Sequence, residues 1–353
     1  MRLKHILLYS ATVQIRPSIA FASPQQRRKP NPSTNIQRDI LSIRGGDIGS
    51  SSMASTTTTM ASALSSAAIV APLRRALVSG SSIQAIGALY AICSLVVVPL
   101  TWYRTAYSFS VGYGLSIAAA SLALLSSFTF SGGGTIGISQ LMTAKGAPTI
   151  LSCTALVYGL RLAAFIYVRE HTVEEKRRVF EDMDRKPPLQ RTPLALGVSM
   201  LYAFMVSPAL FAFRGTLADG SVSERLQVFF TGVAAFGMLL ESIADQHKYE
   251  VKRQCPKGGK FVGPTTWTYK LCRHPNYLGE ILHWAGIFGA GCVSFGTSIV
   301  AWVGGVLGLA GILSIMLGSS ASLDKRQLDK YGGQIVYDEW KEKVTSSVIP
   351  FIK

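Results

Sequence analysis

Residues 281–323, ILHWAGIFGAGCVSFGTSIVAWVGGVLGLAGILSIMLGSSASL, run for 43 positions without one Asp, Glu, Lys or Arg. A single helix needs only about 20 apolar residues to cross roughly 30 Å of hydrocarbon, so this run is long enough for two. The stretch SFGTS at 294–298 offers the small, turn-forming residues at which two helices would part. A chain crossing lipid must satisfy its own backbone hydrogen bonds, and an α-helix does so within one segment. The reading is a helical hairpin in a membrane.

Working outward, apolar stretches fall near 84–102, 108–130, 149–168, 193–213 and 226–244, and the long run divides into spans near 277–294 and 298–323. This predicts an all-α, multi-pass integral membrane protein with about seven transmembrane helices. Composition agrees, with 15% charged residues against about 25% in soluble domains. Seven spans place the connections near 103–107, 169–192 and 245–276 on one face with the tail 324–353. Those segments carry 21 Lys or Arg, and the opposite loops carry only Lys145, Arg214 and Arg225. Lys and Arg in short loops gather on the cytosolic side, or the stromal side in a plastid. The net charge of +16 therefore marks one membrane face, and no nucleic-acid partner is needed to explain it.

Residues 1–80 read as a targeting or disordered extension, and 81–353 as the membrane domain, with a cofactor-binding part at 241–353. MRLKHILLYSATVQI has a basic start and a short apolar stretch, PSIAFASP supplies small residues, and the following segment is basic, hydroxyl-rich and poor in acids. The first pattern suits a signal peptide and the second a transit peptide. Together they resemble the two-part presequences of algae with complex plastids. A plastid membrane is the favoured location and the endoplasmic reticulum the alternative. Cys93, Cys153, Cys255, Cys272 and Cys292 are odd in number and lack metal-ligand spacing, so they read as small apolar fillers rather than disulfides or a metal site.

The start of the long run is polar. Pro275 suits the first turn of a helix, and Asn276, Glu280 and His283 follow at i, i+4 and i+7, on one face. Ionisable groups inside a span usually face a polar cavity and mark a functional site. The plainer alternative is interfacial anchoring by Arg273, His274 and Tyr277, with Glu280 paired to a cation such as Arg161. Lys248 and Lys252 lie i, i+4 on an extended helix before the motif, and Lys325, Arg326 and Lys330 follow the last span. With Tyr269, Tyr277, Tyr331, Tyr337 and Trp340 they suit a ligand that holds several phosphates and a flat base. SGGGTIG at 131–137 lacks the spacing of a phosphate-binding glycine loop. For the basic residues alone, contact with anionic lipid is an equally simple reading.

The segments ADQHKYEVKR, GGKFVGPTTWTYKLCRHPNYLGEILHWAGIF and LDKRQLDKYGGQIVYDEWKEKVTSSVIPFI resemble the steroid 5-alpha-reductase C-terminal family, most of all its uncharacterised multi-pass branch (DUF1295-like). The superfamily includes sterol C14 and C24(28) reductases and isoprenylcysteine methyltransferases. The resemblance implies NADPH bound by the C-terminal segments. Carried over by position, it implies cofactor contacts from Lys248, Lys252, Arg273, Asn276, Tyr277, Asp324, Arg326 and Tyr331, with Glu280 and Tyr277 as catalytic candidates. Trp340 stands where the family often has Tyr, and Lys252 where it often has Arg. The implied activity is reduction of a lipid C=C bond, the lipid entering from the bilayer. Methyl transfer from S-adenosylmethionine is the alternative, disfavoured by the basic Lys325 and Arg326 where methyltransferases tend to carry acids. A non-catalytic member of the fold is the third.

Overall fold

The structure is a computed structural model that describes residues 69–129, 146–172, 184, 187–218, 220–254 and 259–350. Most of the expected presequence, together with Cys255 and the SGGGTIG stretch, lies outside the described residues. Residues 69–79 are helical (α1) and lie ahead of the boundary expected at 81, with Leu77 buried in the core.

Seven long helices follow, one for each apolar stretch: α2 (Ser82–Tyr103), α3 (Val111–Phe128), α4 (Ala147–Thr172), α5 (Pro188–Arg214), α6 (Val222–Arg253), α7 (Pro275–Cys292) and α8 (Ile299–Tyr331). A short helix α9 (Ile335–Lys343) lies in the tail. No strand occurs among the described residues. The start signals are local. Ser81 and Gln84 form a reciprocal capping box before α2, and the Ser221 and Ser298 side chains accept from Glu224 N and Ala301 N, each satisfying an orphan first-turn donor. Pro275 begins α7, and the turn between α7 and α8 falls in 293–298, as SFGTS predicts.

Six of these helices are long and apolar enough to cross a membrane. The exception is α7, whose 18 residues include Asn276, Glu280 and His283, which lower its apolar average. It is held against α6 along most of its length, and also against α5 and α8. Its polar face is thus covered by protein. The chain is an integral membrane protein in which α7 is an inner helix rather than a lipid-facing one.

Two glycine pairs set the helix spacing that matters. A Cβ on Gly237 of α6 would lie 2.6 Å from Gly279 O of α7, and one on Gly279 would lie 2.7 Å from Gly237 O. Gly114 of α3 and Gly159 of α4 are in the same relation, with a Cβ on Gly114 2.8 Å from Ala163 N and one on Gly159 2.8 Å from Ala118 N. Only the missing side chains permit such approach. Both pairs adjoin the polar residues described next.

At the end of the bundle where α7 begins, the connection 259–274 and the tail pack together. Phe261 stacks on Trp340 with ring centroids 5.5 Å apart, and Tyr269, Tyr337, Trp340 and Val344 form a small buried core. Arg273 N and His274 N donate to Ser346 O and Ser347 O at 3.0 and 2.9 Å. The loop before α7 and the C-terminal tail therefore meet at one end of the bundle, as the two antiparallel helices α7 and α8 between them require.

Candidate active site

Tyr113 directly precedes Gly114, and Tyr158 directly precedes Gly159. Close approach of α3 and α4 therefore brings the two phenols together, with hydroxyls 3.1 Å apart. The Tyr113 hydroxyl donates to Glu280 Oε1 at 3.0 Å and accepts from Trp284 Nε1 at 2.8 Å. Glu280 and Trp284 are i, i+4 on α7, so both reach the same point. Tyr158, Trp284 and Glu280 are buried. A carboxyl group deep among helices is tolerated when hydroxyl and indole donors surround it. Glu280 belongs to this network; the alternative pairing with Arg161 is not found.

Arg161 instead joins α4 to α6. Its guanidinium pairs with Glu241 Oε1 and lies 3.1 Å from Asp245 Oδ2. Glu241 and Asp245 are i, i+4 near the end of the apolar part of α6, and both are buried. His283 stacks on Tyr158 at 4.2 Å, with Nδ1 on Ala234 O at 2.9 Å. The Arg161 guanidinium carbon also lies over the Tyr158 ring, 5.9 Å from its centroid.

Outside this inner network lies a rim built on Asp324. One carboxyl oxygen takes Arg273 Nε at 3.1 Å and His274 Nε2 at 2.9 Å. The other takes Arg273 Nη2 and the Ser347 hydroxyl, both at 2.7 Å. Arg273 Nη1 also donates to Val344 O at 2.9 Å and Thr345 O at 2.5 Å. Burial pulls the His274 imidazole below its ordinary value, with the Asp324 carboxylate acting against that shift and Lys248 and Arg273 adding to it. The geometry agrees. His274 Nδ1 is buried without a partner, so a second ring proton would be an N–H with no acceptor.

The expected site residues thus divide. Asn276 and Glu280 lie on the covered face of α7, and Asn276 Oδ1 is buried with no partner. Tyr277 is half-buried and stacks on His274 at 5.6 Å, with Arg169 and Arg326 within electrostatic reach of its hydroxyl. Lys248 is half-buried beside His274, and Lys252 and Arg326 are exposed. Tyr331 leans on Phe261 and Tyr337 in the small aromatic core. Arg273 and Asp324 bind each other. Trp340, standing where a Tyr was expected, donates its indole N–H to Tyr269 O at 3.2 Å, so it serves the fold.

Sequence reasoning gave no role to Tyr113, Tyr158, Trp284, Glu241 or Asp245. Two signals were available. Arg161 is a lone charge inside an apolar stretch, which calls for partners, and each tyrosine stands next to a glycine.

No curated protein and no solved structure matches the chain. The model of a family described as a protein of unknown function, DUF1295, matches residues 124–344 of the 353; the match runs from the end of α3 through α9, spanning Tyr158, Glu241, Glu280 and the rim, and the chain belongs to that family.

Proposed function

We propose that the chain is a membrane-embedded, NADPH-dependent reductase of a C=C bond in a lipid of sterol, isoprenoid or acyl type that enters from the bilayer. The observation that carries this reading is the buried hydroxyl–carboxyl network of Tyr113, Tyr158 and Glu280, set just inside a rim of cations and aromatic rings. The resemblance of the same segments to the steroid 5-alpha-reductase C-terminal family points the same way.

The residues fit the cofactor at several points. Asn276 Oδ1 is an unpaired buried acceptor open to an N–H or O–H donor of the cofactor. Lys248, Lys252 and Arg326 give the rim the positive charge that phosphates seek. Arg273 and Asp324 contribute differently, by tying the tail to the start of α7 and so shaping the rim. Bound NADPH would supply the hydride, chemistry that belongs to the cofactor.

The protein's share is the proton. At rest the Tyr113 hydroxyl proton lies toward Glu280; in turnover that hydroxyl turns its proton to the substrate, and its oxygen takes one held on Glu280 at hydrogen-bond distance. Tyr158 joins both groups to the same relay, and Trp284 holds the Tyr113 oxygen in place. The surrounding helices exclude water, which strengthens each of these interactions.

A second reading, methyl transfer from S-adenosylmethionine, has one observation in its favour. Glu241 and Asp245 pair with the guanidinium of Arg161, and Glu280 lies within electrostatic reach of it, an acid-rich interior that would suit a sulfonium. Titrating the purified chain in lipid discs with NADPH, followed by cofactor fluorescence, and with S-adenosylmethionine by calorimetry separates the two. Saturable NADPH binding without S-adenosylmethionine binding is expected, and the reverse result would replace the reductase by a methyltransferase.

A further inference from the structure

Three buried polar atoms beside the tyrosine–carboxyl network have no partner: Glu241 Oε2, His283 Nε2 and Arg161 Nε. Glu241 and His283 are 2% and 0% exposed, so bulk water does not reach them. Unpaired buried polar atoms are rare and costly, and three that belong to interlocked residues need a common explanation. They are interlocked in two ways. The backbone of Glu241 lies against Gly279, and that of His283 against Gly237, so the two residues sit on facing helices one turn apart along the α6–α7 contact. Arg161 holds Glu241 through its Nη2, and both Arg161 and His283 bear on the ring of Tyr158.

The orientations are informative. His283 Nδ1 is engaged by Ala234 O, so that nitrogen carries the proton and Nε2 offers a lone pair, turned away from that carbonyl. Glu241 keeps Oε1 on Arg161 and offers Oε2, while Arg161 Nε offers an N–H. The group thus presents two acceptors and one donor. A carboxylate or phosphate brings acceptors alone and would face Glu241 Oε2. An ammonium brings donors alone and leaves Arg161 Nε unmatched. A hydroxyl or a primary amide brings both. Among the described residues no group of three or more His, Cys, Asp or Glu is placed to hold a metal ion.

We infer that Glu241, His283 and Arg161 form a recognition site for an uncharged ligand end that both donates and accepts hydrogen bonds, a hydroxyl or a primary amide. The inference rests on the reductase reading for its two sources, the polar end of the lipid substrate or the carboxamide of the cofactor. It narrows the substrate class, because a lipid whose polar end must sit here is an alcohol or amide and not a free acid.

The test uses the full chain in lipid discs, and the readout is thermal stabilisation. Farnesol is compared with farnesoic acid and farnesyl methyl ether, and reduced nicotinamide riboside with its carboxylate counterpart. Stabilisation by farnesol, or by the amide riboside, with at least tenfold weaker binding of the matched acid and ether, is expected, and which arm responds identifies the source. Glu241→Gln keeps an oxygen for Arg161 and turns an NH2 toward the ligand, so it should weaken the preferred probe at least tenfold. The wild-type series decides alone if that variant does not fold. Equal binding of acid and alcohol (or of acid and amide), or no binding of any probe, overturns the inference and leaves the atoms to trapped water. Titration with NADPH on the same sample keeps the outcomes apart. NADPH binding with no preference among the probes defeats this inference only, whereas a clear preference without NADPH binding defeats only the reductase reading.

Discussion

The indole N–H of Trp284 on α7 reaches the hydroxyl of Tyr113 on α3 at 2.8 Å, although 171 residues separate them in sequence. That bond leaves the Tyr113 oxygen held from one side while its proton points at Glu280. Tyr113→Phe removes the junction and takes a bond from three buried partners, Tyr158, Glu280 and Trp284, at a cost of about 1–3 kcal/mol in stability. Turnover should fall by about 10²-fold or more, the scale of a lost acid–base group. Glu280→Gln should retain most of the stability and lose turnover similarly. Melting temperature and NADPH oxidation measured on both variants check this, and normal turnover in both would remove the network from catalysis.

Helix approach at Gly114 and Gly159 is what sets the two phenols side by side. A Cβ at Gly159 would collide with Ala118 N, so Gly159→Ala should destabilise by about 1–3 kcal/mol through overpacking and reduce turnover with it. Gly87 on α2 has nothing near its would-be Cβ. Gly87→Ala should be neutral or stabilise by up to about 1 kcal/mol. Paired thermal melts test the contrast; equal effects would mean that the Gly114–Gly159 contact does not form.

Asp324 collects Arg273, His274 and Ser347 in one joint. Asp324→Ala should free the tail, raising proteolysis after Val344 while the bundle stays folded. The pair is partly exposed, so the loss should be on the order of 2 kcal/mol, below the 3–5 of a fully buried pair. Arg273→Lys should reproduce much of it, because an ammonium cannot make the two-pronged contact. Mass-spectrometric mapping of early cleavage sites gives the answer.

The same joint should respond to acid. The His274 value is lowered in the folded state by burial, so below the ordinary histidine value of about 6.5 the unfolded or detached form binds the extra proton. Stability from this group is full above about pH 6.5 and is lost as pH falls from there through the lowered value. Arg273 and Lys248 face the ring with like charge, Asp324 opposes them, and Tyr277 covers one face. Tail cleavage should therefore rise on acidification, and His274→Gln should flatten that rise.

Cysteines at the exposed positions Lys270 and Thr345 should label from the same side of a sealed membrane, since loop and tail pack together. Labelling from opposite sides would break the α7–α8 hairpin and the shared rim at once.

Much of the architecture was legible in the sequence because lipid imposes a coarse and local code. Uncharged length marks a span, Ser81, Ser221 and Ser298 cap their own first turns, and SFGTS divides one apolar run into two helices. The i, i+4, i+7 spacing also put Asn276, Glu280 and His283 on one face. Periodicity names a face but not the neighbour that covers it. That Glu280 meets Tyr113 instead of Arg161, that Arg161 holds Glu241 and Asp245, and that Arg273 binds Asp324 depended on which helices approach most closely. That choice was made by glycine contacts between residues far apart in the chain, whose energy exists only once the bundle has formed.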